Sequence, residues 1–183
     1  PKEESVKTLL ERAKQKNIVI WGELDFFSKA LVSLKALQEY DPKVIAITGT
    51  NGKTTTTALT GVICAKAGKS VAVAGNISPS LLDKLNTCLV SQDLPEIWVL
   101  ELSSYQLFYC DQFAPHAATI LNISEDHLDW HGDMLHYTQA KAKIFGQDTI
   151  AVVNRDDAAV MGLFPIEETS RRRVISFGMD TPL

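Results

Sequence analysis

The sequence is poor in cysteine, and its three cysteines are not arranged to act together. Cys64, Cys88 and Cys110 are odd in number and show no C-x-x-C spacing, which argues against a disulfide framework or a cysteine zinc site and for buried thiols. Long apolar runs are also missing. No stretch approaches the roughly 20 residues of a membrane span, and the opening PKEESVKTLLERAKQK is charged, without the apolar core of a signal peptide. A cytoplasmic protein is the expectation. Positive charge is not in excess: a net charge of −4 and a pI of about 5.6 argue against a dedicated nucleic-acid surface. The basic run Arg171-Arg172-Arg173 reads as solvated. Internal repeats and low-complexity segments are absent. What remains is a chain of 183 residues, 45% hydrophobic, enough to bury a sizeable core in one domain, or one domain plus a fragment.

Periodicity divides the chain. Residues 3–16 have helical spacing of Val6, Leu9, Leu10 and Ala13, and 18-IVIW-21 reads as a short buried strand. Residues 24–40 read as a second helix, stopped at Asp41-Pro42 because the residue before proline avoids helical dihedrals. From Lys43 onward, short apolar runs at 44–48, 71–75, 97–102, 118–123, 149–154 and from 174 alternate with helix-like stretches or loops. That alternation predicts an α/β fold, a mostly parallel sheet with helices on both faces. Ligands of such sheets bind beyond the carboxyl ends of the strands. The polar clusters fall there: Gly49 to Thr54, Gly75-Asn76, Glu101 to Ser104, and Asn122 to His131.

Three of these clusters carry chemistry. Gly49-Thr50-Asn51-Gly52-Lys53-Thr54 stands between a strand and a helix, as a phosphate-binding loop requires, but the spacing is short: five residues before Gly52 stands Ile47 rather than glycine. Gly49 and Gly52 let the backbone turn and approach a polyphosphate, the loop amides and the helix N-terminus donate to it, Lys53 reaches the terminal phosphates, and the Thr54 hydroxyl suits Mg²⁺. Glu101, ending an apolar strand, is where a nucleotide-binding sheet puts a carboxylate near that magnesium, although many strand-end glutamates only cap a neighbouring helix. The segment after Asn122 holds His127 and His131 among Glu125, Asp126, Asp129 and Asp133. It reads equally as a metal site or as helix and turn caps. Lys141 and Lys143 lie about 200° apart around a helix, so at most one faces the site, and solvent exposure is the default expectation for both.

Taken in order, TGTNGKTT at 48–55, ELSSYQL at 101–107, and LNISEDHLDWHG at 121–132 followed by Y-x-x-A-K-x-K-I-F at 137–145 resemble the Mur ligase family, which has its own short P-loop. The resemblance covers about residues 23–178 and is nearest the D-glutamate-adding branch. It implies a cytoplasmic ATP-dependent ligase of peptidoglycan synthesis that joins D-glutamate to UDP-N-acetylmuramoyl-L-alanine through an acyl phosphate. By the same resemblance, Gly49, Thr50, Asn51, Gly52, Lys53, Thr54 and Thr55 hold ATP. Thr54 and Glu101 ligate a first Mg²⁺, and His127 and a carbamylated Lys141 serve a second. Lys53, His127 and Lys141 are the catalytic set, and Asn76, Ser103 and Gln106 lie against the UDP-sugar substrate. Residues 1–42 are then expected to be the tail of an N-terminal UDP-binding domain plus linker, and 43–183 an incomplete central ATP-binding domain. The C-terminal amino-acid-binding domain is expected to be absent, the chain alone inactive, and its parent a monomer. Two alternatives stay open: a relative adding another amino acid, such as a folylpolyglutamate synthase, and a non-catalytic nucleotide-binding module.

Overall fold

The computed structural model describes residues 3–110, 112–164 and 173–179, and, within the first helix, no side chain before Thr8 and none at Lys14. Its centre is a six-stranded sheet in the order β2-β3-β1-β4-β5-β6, with every pairing parallel. The strands are β1 (Lys43–Thr48), β2 (Val71–Gly75), β3 (Ile97–Glu101), β4 (Ala117–Ile120), β5 (Ile150–Asn154) and β6 (Val174–Phe177). Between them run α3 (Lys53–Lys66), α4 (Leu81–Ser91), α5 (Ser104–Tyr109), α6 (Leu128–His131), α7 (Met134–Ala142) and α8 (Ala158–Met161). Two helices precede the sheet, α1 (Glu3–Gln15) and α2 (Glu23–Gln38).

Alternation along the strands assigns the two faces. Val44 and Ala46, Ala72 and Ala74, Trp98 and Leu100, Ala118 and Ile120, and Ala151 and Val153 form one buried cluster with Leu24, Phe27 and Leu34 of α2 and Leu81, Leu85 and Cys88 of α4. The last three recur at helical spacing, and Ser80 caps their helix by accepting the Asp83 N–H at 3.4 Å. The opposite face of β1, β2 and β3 takes α3. There the helix lies so close that a Cβ on Gly61 would stand 2.6 Å from Val73 Cγ2, which is why a helix interior tolerates glycine at this point. Helix α2 belongs to the same core. Phe27 meets Trp98 edge to face at 5.0 Å, and the Trp98 indole donates to the Tyr40 hydroxyl at 2.9 Å.

Two sequence readings change. Residues 18–21 form no strand: Ile18 and Val19 are exposed and the segment joins no sheet ladder. A four-residue apolar run becomes a strand only where a partner edge is in reach, and this one lies over α2, α5 and α7. The strand expected over 118–123 ends at Ile120. Beyond it the backbone leaves the sheet to meet the glycine loop, with Thr50 N–H donating to Asn122 O at 2.9 Å. Of the expected buried thiols, Cys88 and Cys110 are buried and Cys64 is partly covered. Within the basic run, Arg173 is exposed and residues 171–172 lie outside the described residues. No helix among the described residues is long and apolar enough to cross a membrane.

Candidate functional site

The site is built at the carboxyl ends of β1, β3 and β4. Residues 49–51 are all that separates β1 from the Gly52 cap of α3, and the turn is made with φ of 154° at Gly49 and 80° at Gly52. Only glycine adopts such angles cheaply. The first turn of α3 leaves its amides without helical partners, as at any helix N-terminus, where they favour an anion. Lys53, the first residue of that helix, folds its ammonium back onto the loop, donating to Gly49 O at 3.0 Å and Thr50 O at 2.8 Å. Thr54 and Thr55 are exposed beside it.

Lys141 reaches the same carbonyl from α7. Its side chain is 2% exposed, and its Nζ donates to Gly49 O at 2.9 Å and to Thr48 Oγ1 at 3.4 Å. Two lysines therefore converge on one carbonyl oxygen. Burial, reinforced by the Lys53 ammonium and opposed in part by Asp126, brings the Lys141 amine down from 10.5 to about 7. The Tyr137 ring lies 4.7 Å from the Lys141 ammonium, and the Tyr137 hydroxyl stands 3.1 Å from Thr50 Oγ1. Burial of that phenol raises its pKa. Lys143 faces away, donating to Phe108 O at 2.7 Å from an exposed position. Helical geometry alone separates the two lysines, as their spacing predicts.

Glu101 ends β3 opposite Ile47 of β1, just below the loop. It is 2% exposed. One carboxylate oxygen accepts the Asn76 side-chain amide at 3.1 Å, and the other, Oε2, is buried without a hydrogen-bond partner. An unpaired buried carboxylate oxygen is costly unless something cationic completes it. This fits the reading of Glu101 as a magnesium ligand better than the reading as a helix cap. Among the described residues, no group of three or more His, Cys, Asp or Glu side chains could enclose a metal ion. Cations held here would draw most of their ligands from phosphate and water, as Mg²⁺ does.

The histidines part company. His127 caps α6 in the left-handed region, φ 52°, with its Nε2 3.4 Å from Asp126 Oδ2. It is exposed, with its ring 5.0 Å from that of Tyr105. His131 is buried, with Nε2 3.0 Å from Ser104 Oγ and its ring 5.3 Å from that of Tyr137. Burial, then the neighbouring His127 and Lys141, lowers its pKa. Their Nε2 atoms have separate partners, Asp126 for His127 and Ser104 for His131. Ser103 and Gln106 make a capping box at the start of α5, and Gln106 also donates to Glu23 at 3.4 Å.

Several residues of the site lie within clusters and motifs read from the sequence but were given no role of their own. Asn122 brackets the Asn51 peptide, accepting its N–H at 2.8 Å and donating to its C=O at 3.1 Å. Ser124 exchanges hydrogen bonds with the Thr50 hydroxyl at 3.0 and 3.2 Å. Tyr137 holds Thr50 and Lys141 together. The polar run after β4 was the available signal, but its partners are about 70 residues away, at |i−j| of 71 and 74.

Sheet, loop and converging lysines define a nucleotide-binding P-loop domain. The family described as the Mur ligase middle domain matches residues 47–183. The chain belongs to the Mur ligase family. It is 55% identical over 183 residues to the UDP-N-acetylmuramoylalanine–D-glutamate ligase of Burkholderia thailandensis and 54% identical to that of Burkholderia mallei, in each case across 100% of this chain and 36% of the relative. The chain thus spans about a third of the length of these relatives. Among solved structures, a UDP-N-acetylmuramoyl-L-alanyl-D-glutamate–2,6-diaminopimelate ligase matches with a TM-score of 0.63 and 27% identity, over 81% of this chain and 34% of that one. The MurF ligase of Thermotoga maritima, solved with ADP, shares the fold with a TM-score of 0.65 at 24% identity, over 88% of this chain and 38% of that one.

Proposed function

We propose that the chain is the ATP-handling portion of a ligase that joins D-glutamate to UDP-N-acetylmuramoyl-L-alanine. The acceptor carboxylate attacks the γ-phosphorus of ATP, ADP leaves, and an acyl phosphate results. The D-glutamate amine then attacks the acyl carbon, phosphate departs, and an amide bond is formed. Such transfers depend on positioning and charge neutralisation. In this reading Gly49 to Thr55 form the cradle of the polyphosphate, with the amides at the start of α3 as its donors because those of Thr50 and Asn51 are taken by Asn122, and Lys53 exchanges its two loop carbonyls for phosphate oxygens. Thr54 and Glu101 hold a first Mg²⁺, and His127 and Lys141 a second. Bound magnesium would supply charge neutralisation on the transferring phosphoryl group. Asn76, just past the end of β2, and Ser103 and Gln106, at the start of α5, line the acceptor site.

The observation that carries the reading is Lys141. A lysine 2% exposed, with a pKa brought to about 7, is an uncommon expense for a domain that only binds. Neutral amine at physiological pH can take up carbon dioxide, and the resulting carbamate would turn a cation into an anionic oxygen ligand suited to Mg²⁺. The chain by itself is proposed to bind nucleotide weakly and not to ligate.

The test uses the full-length protein carrying this chain, with Mg·ATP and UDP-N-acetylmuramoyl-L-alanine, and follows ADP and phosphate as the amino acid is varied. Turnover is expected to require D-glutamate and to fall at least about 100-fold in Lys53→Ala and Lys141→Ala. Turnover with a different amino acid would reassign the substrate within the family. Nucleotide binding without turnover under any combination would leave a binding module.

A further inference from the structure

We propose that Asn122 is a positioning residue for the nucleotide, the group that holds the phosphate loop at its working height; the inference rests on the nucleotide-binding reading above. The loop needs such a group. Thr50 and Asn51 stand between two glycines with positive φ, outside both β1 and α3. Flanking glycines leave a two-residue segment free to pivot, and ordering it on each binding event costs entropy. The sheet cannot do it, because β1 has ended.

Asn122 supplies what a neighbouring strand would. Its Oδ1 accepts the Asn51 N–H at 2.8 Å, and its Nδ2 donates to the Asn51 C=O at 3.1 Å. Its own backbone carbonyl takes the Thr50 N–H at 2.9 Å. A planar primary amide presents one of its N–H donors and its C=O acceptor side by side, as a strand edge does. Aspartate offers two acceptors and would set an oxygen against the Asn51 carbonyl. Because the Asn51 N–H is already engaged, the donors left for phosphate are those of the first turn of α3, and the Asn122 bracket fixes their angle to the incoming chain of phosphates.

The same seam ties the loop to the rest of the site. Asn122 opens the segment that leads to His127, Ser124 within it is bonded to the Thr50 hydroxyl, and Tyr137, one turn before Lys141 on α7, stands 3.1 Å from that hydroxyl. Moving Asn51 therefore moves the loop relative to His127 and Lys141, the two candidates for the second metal.

The test is calorimetric binding of Mg·ADP to the full-length protein, with urea midpoints in parallel and Lys53→Ala as the control. Asn122→Ala is expected to weaken Mg·ADP about tenfold, with a urea midpoint close to wild type, and in turnover to raise the KM for ATP while the KM of the amino acid stays within twofold. Asn122→Asp, equal in size, is expected to lose as much, and it decides the matter if the alanine variant does not fold. Affinity within twofold of wild type in the variants, or a loss that only follows a lowered midpoint and raises every KM alike, overturns the proposal. If Lys53→Ala abolishes binding while Asn122→Ala does not, the positioning role falls and the nucleotide site stands. A wild type that binds no nucleotide overturns both.

Discussion

Lys141 shows what one residue gains and loses by its address. In the unfolded chain its amine titrates at the ordinary 10.5, and in the folded protein burial and Lys53 bring it to about 7. Between those values the unfolded state binds one more proton than the native state, so stability rises with pH across the window. Below about pH 7 both states are protonated and the cost of burying the cation is present in full. Wild-type unfolding free energy is therefore expected to climb from pH 7 toward pH 10 with a contribution of up to about 1.4 kcal/mol per pH unit. Lys141→Met, which keeps the length and removes the proton, is expected to lose that slope. Urea denaturation at a series of pH values measures it, and parallel curves for the two proteins would contradict the assignment. The same neutral amine is what makes carbamylation chemically available, and a carbamate ¹³C signal from labelled bicarbonate is expected in wild type and not in Lys141→Met.

Among the elements, α8 illustrates how a short helix is held by its cap. Four residues cannot hold a helix by propagation. Asp157 replaces that with geometry: its Oδ1 accepts the N–H groups of Ala159 and Val160, each at 3.0 Å, while Oδ2 accepts the Ile123 N–H at 2.8 Å. One carboxylate thus caps α8 and anchors the start of the segment that leads to His127. Asp157→Ala is expected to cost about 2–3 kcal/mol, a lost cap plus a lost charge-assisted hydrogen bond, and Asp157→Asn less, since it retains one acceptor oxygen. Equilibrium denaturation gives the number, and a loss under about 0.5 kcal/mol would remove the anchoring role. The Ser103 and Gln106 capping box works similarly at α5. S-x-x-Q is a helix start signal, but these residues were read only as a polar cluster at a strand end and as expected substrate contacts.

At the scale of the molecule, the sheet is protected unevenly. β1 and β3 lie between other strands and carry helices on both faces. β6 is an edge strand with Ile175 45% and Phe177 41% exposed, beside a groove of about 400 Å³ that runs from Ile45 and Ile47 across Thr119 to Val152 and Phe177. Local opening follows burial and pairing. Amides of Ala46, Ile47, Val99 and Leu100 are expected to exchange slowest and those of β6 fastest among the strands, a pattern hydrogen-exchange mass spectrometry reads directly. Slow exchange throughout β6 would mean that the edge is covered in solution. The alternation of apolar runs made β1 to β5 legible in order and type, because each carries apolar residues on both faces, buried on one and buried or partly buried on the other. The run at 18–21 has the same composition and no partner edge, and no local pattern contains that difference.

The residue types of the site were set by the sequence alone. Glycines flanking Thr50 and Asn51, a lysine and threonine opening α3, an acid ending β3 and a lysine on α7 can be read in a line, because turn geometry, strand ends and helix spacing are local properties of the chain. Their relations were decided only by the tertiary structure. Lys141 is 92 residues from Gly49, and Asn122 is 71 from Asn51. The parallel pairing of β4 beside β1 brings both to the loop. Burial then lowers one amine, leaves one carboxylate oxygen of Glu101 without a partner, and separates His127 from His131. Desolvation depends on everything packed around a group, and that is a property of the assembled sheet and helices rather than of any stretch of sequence.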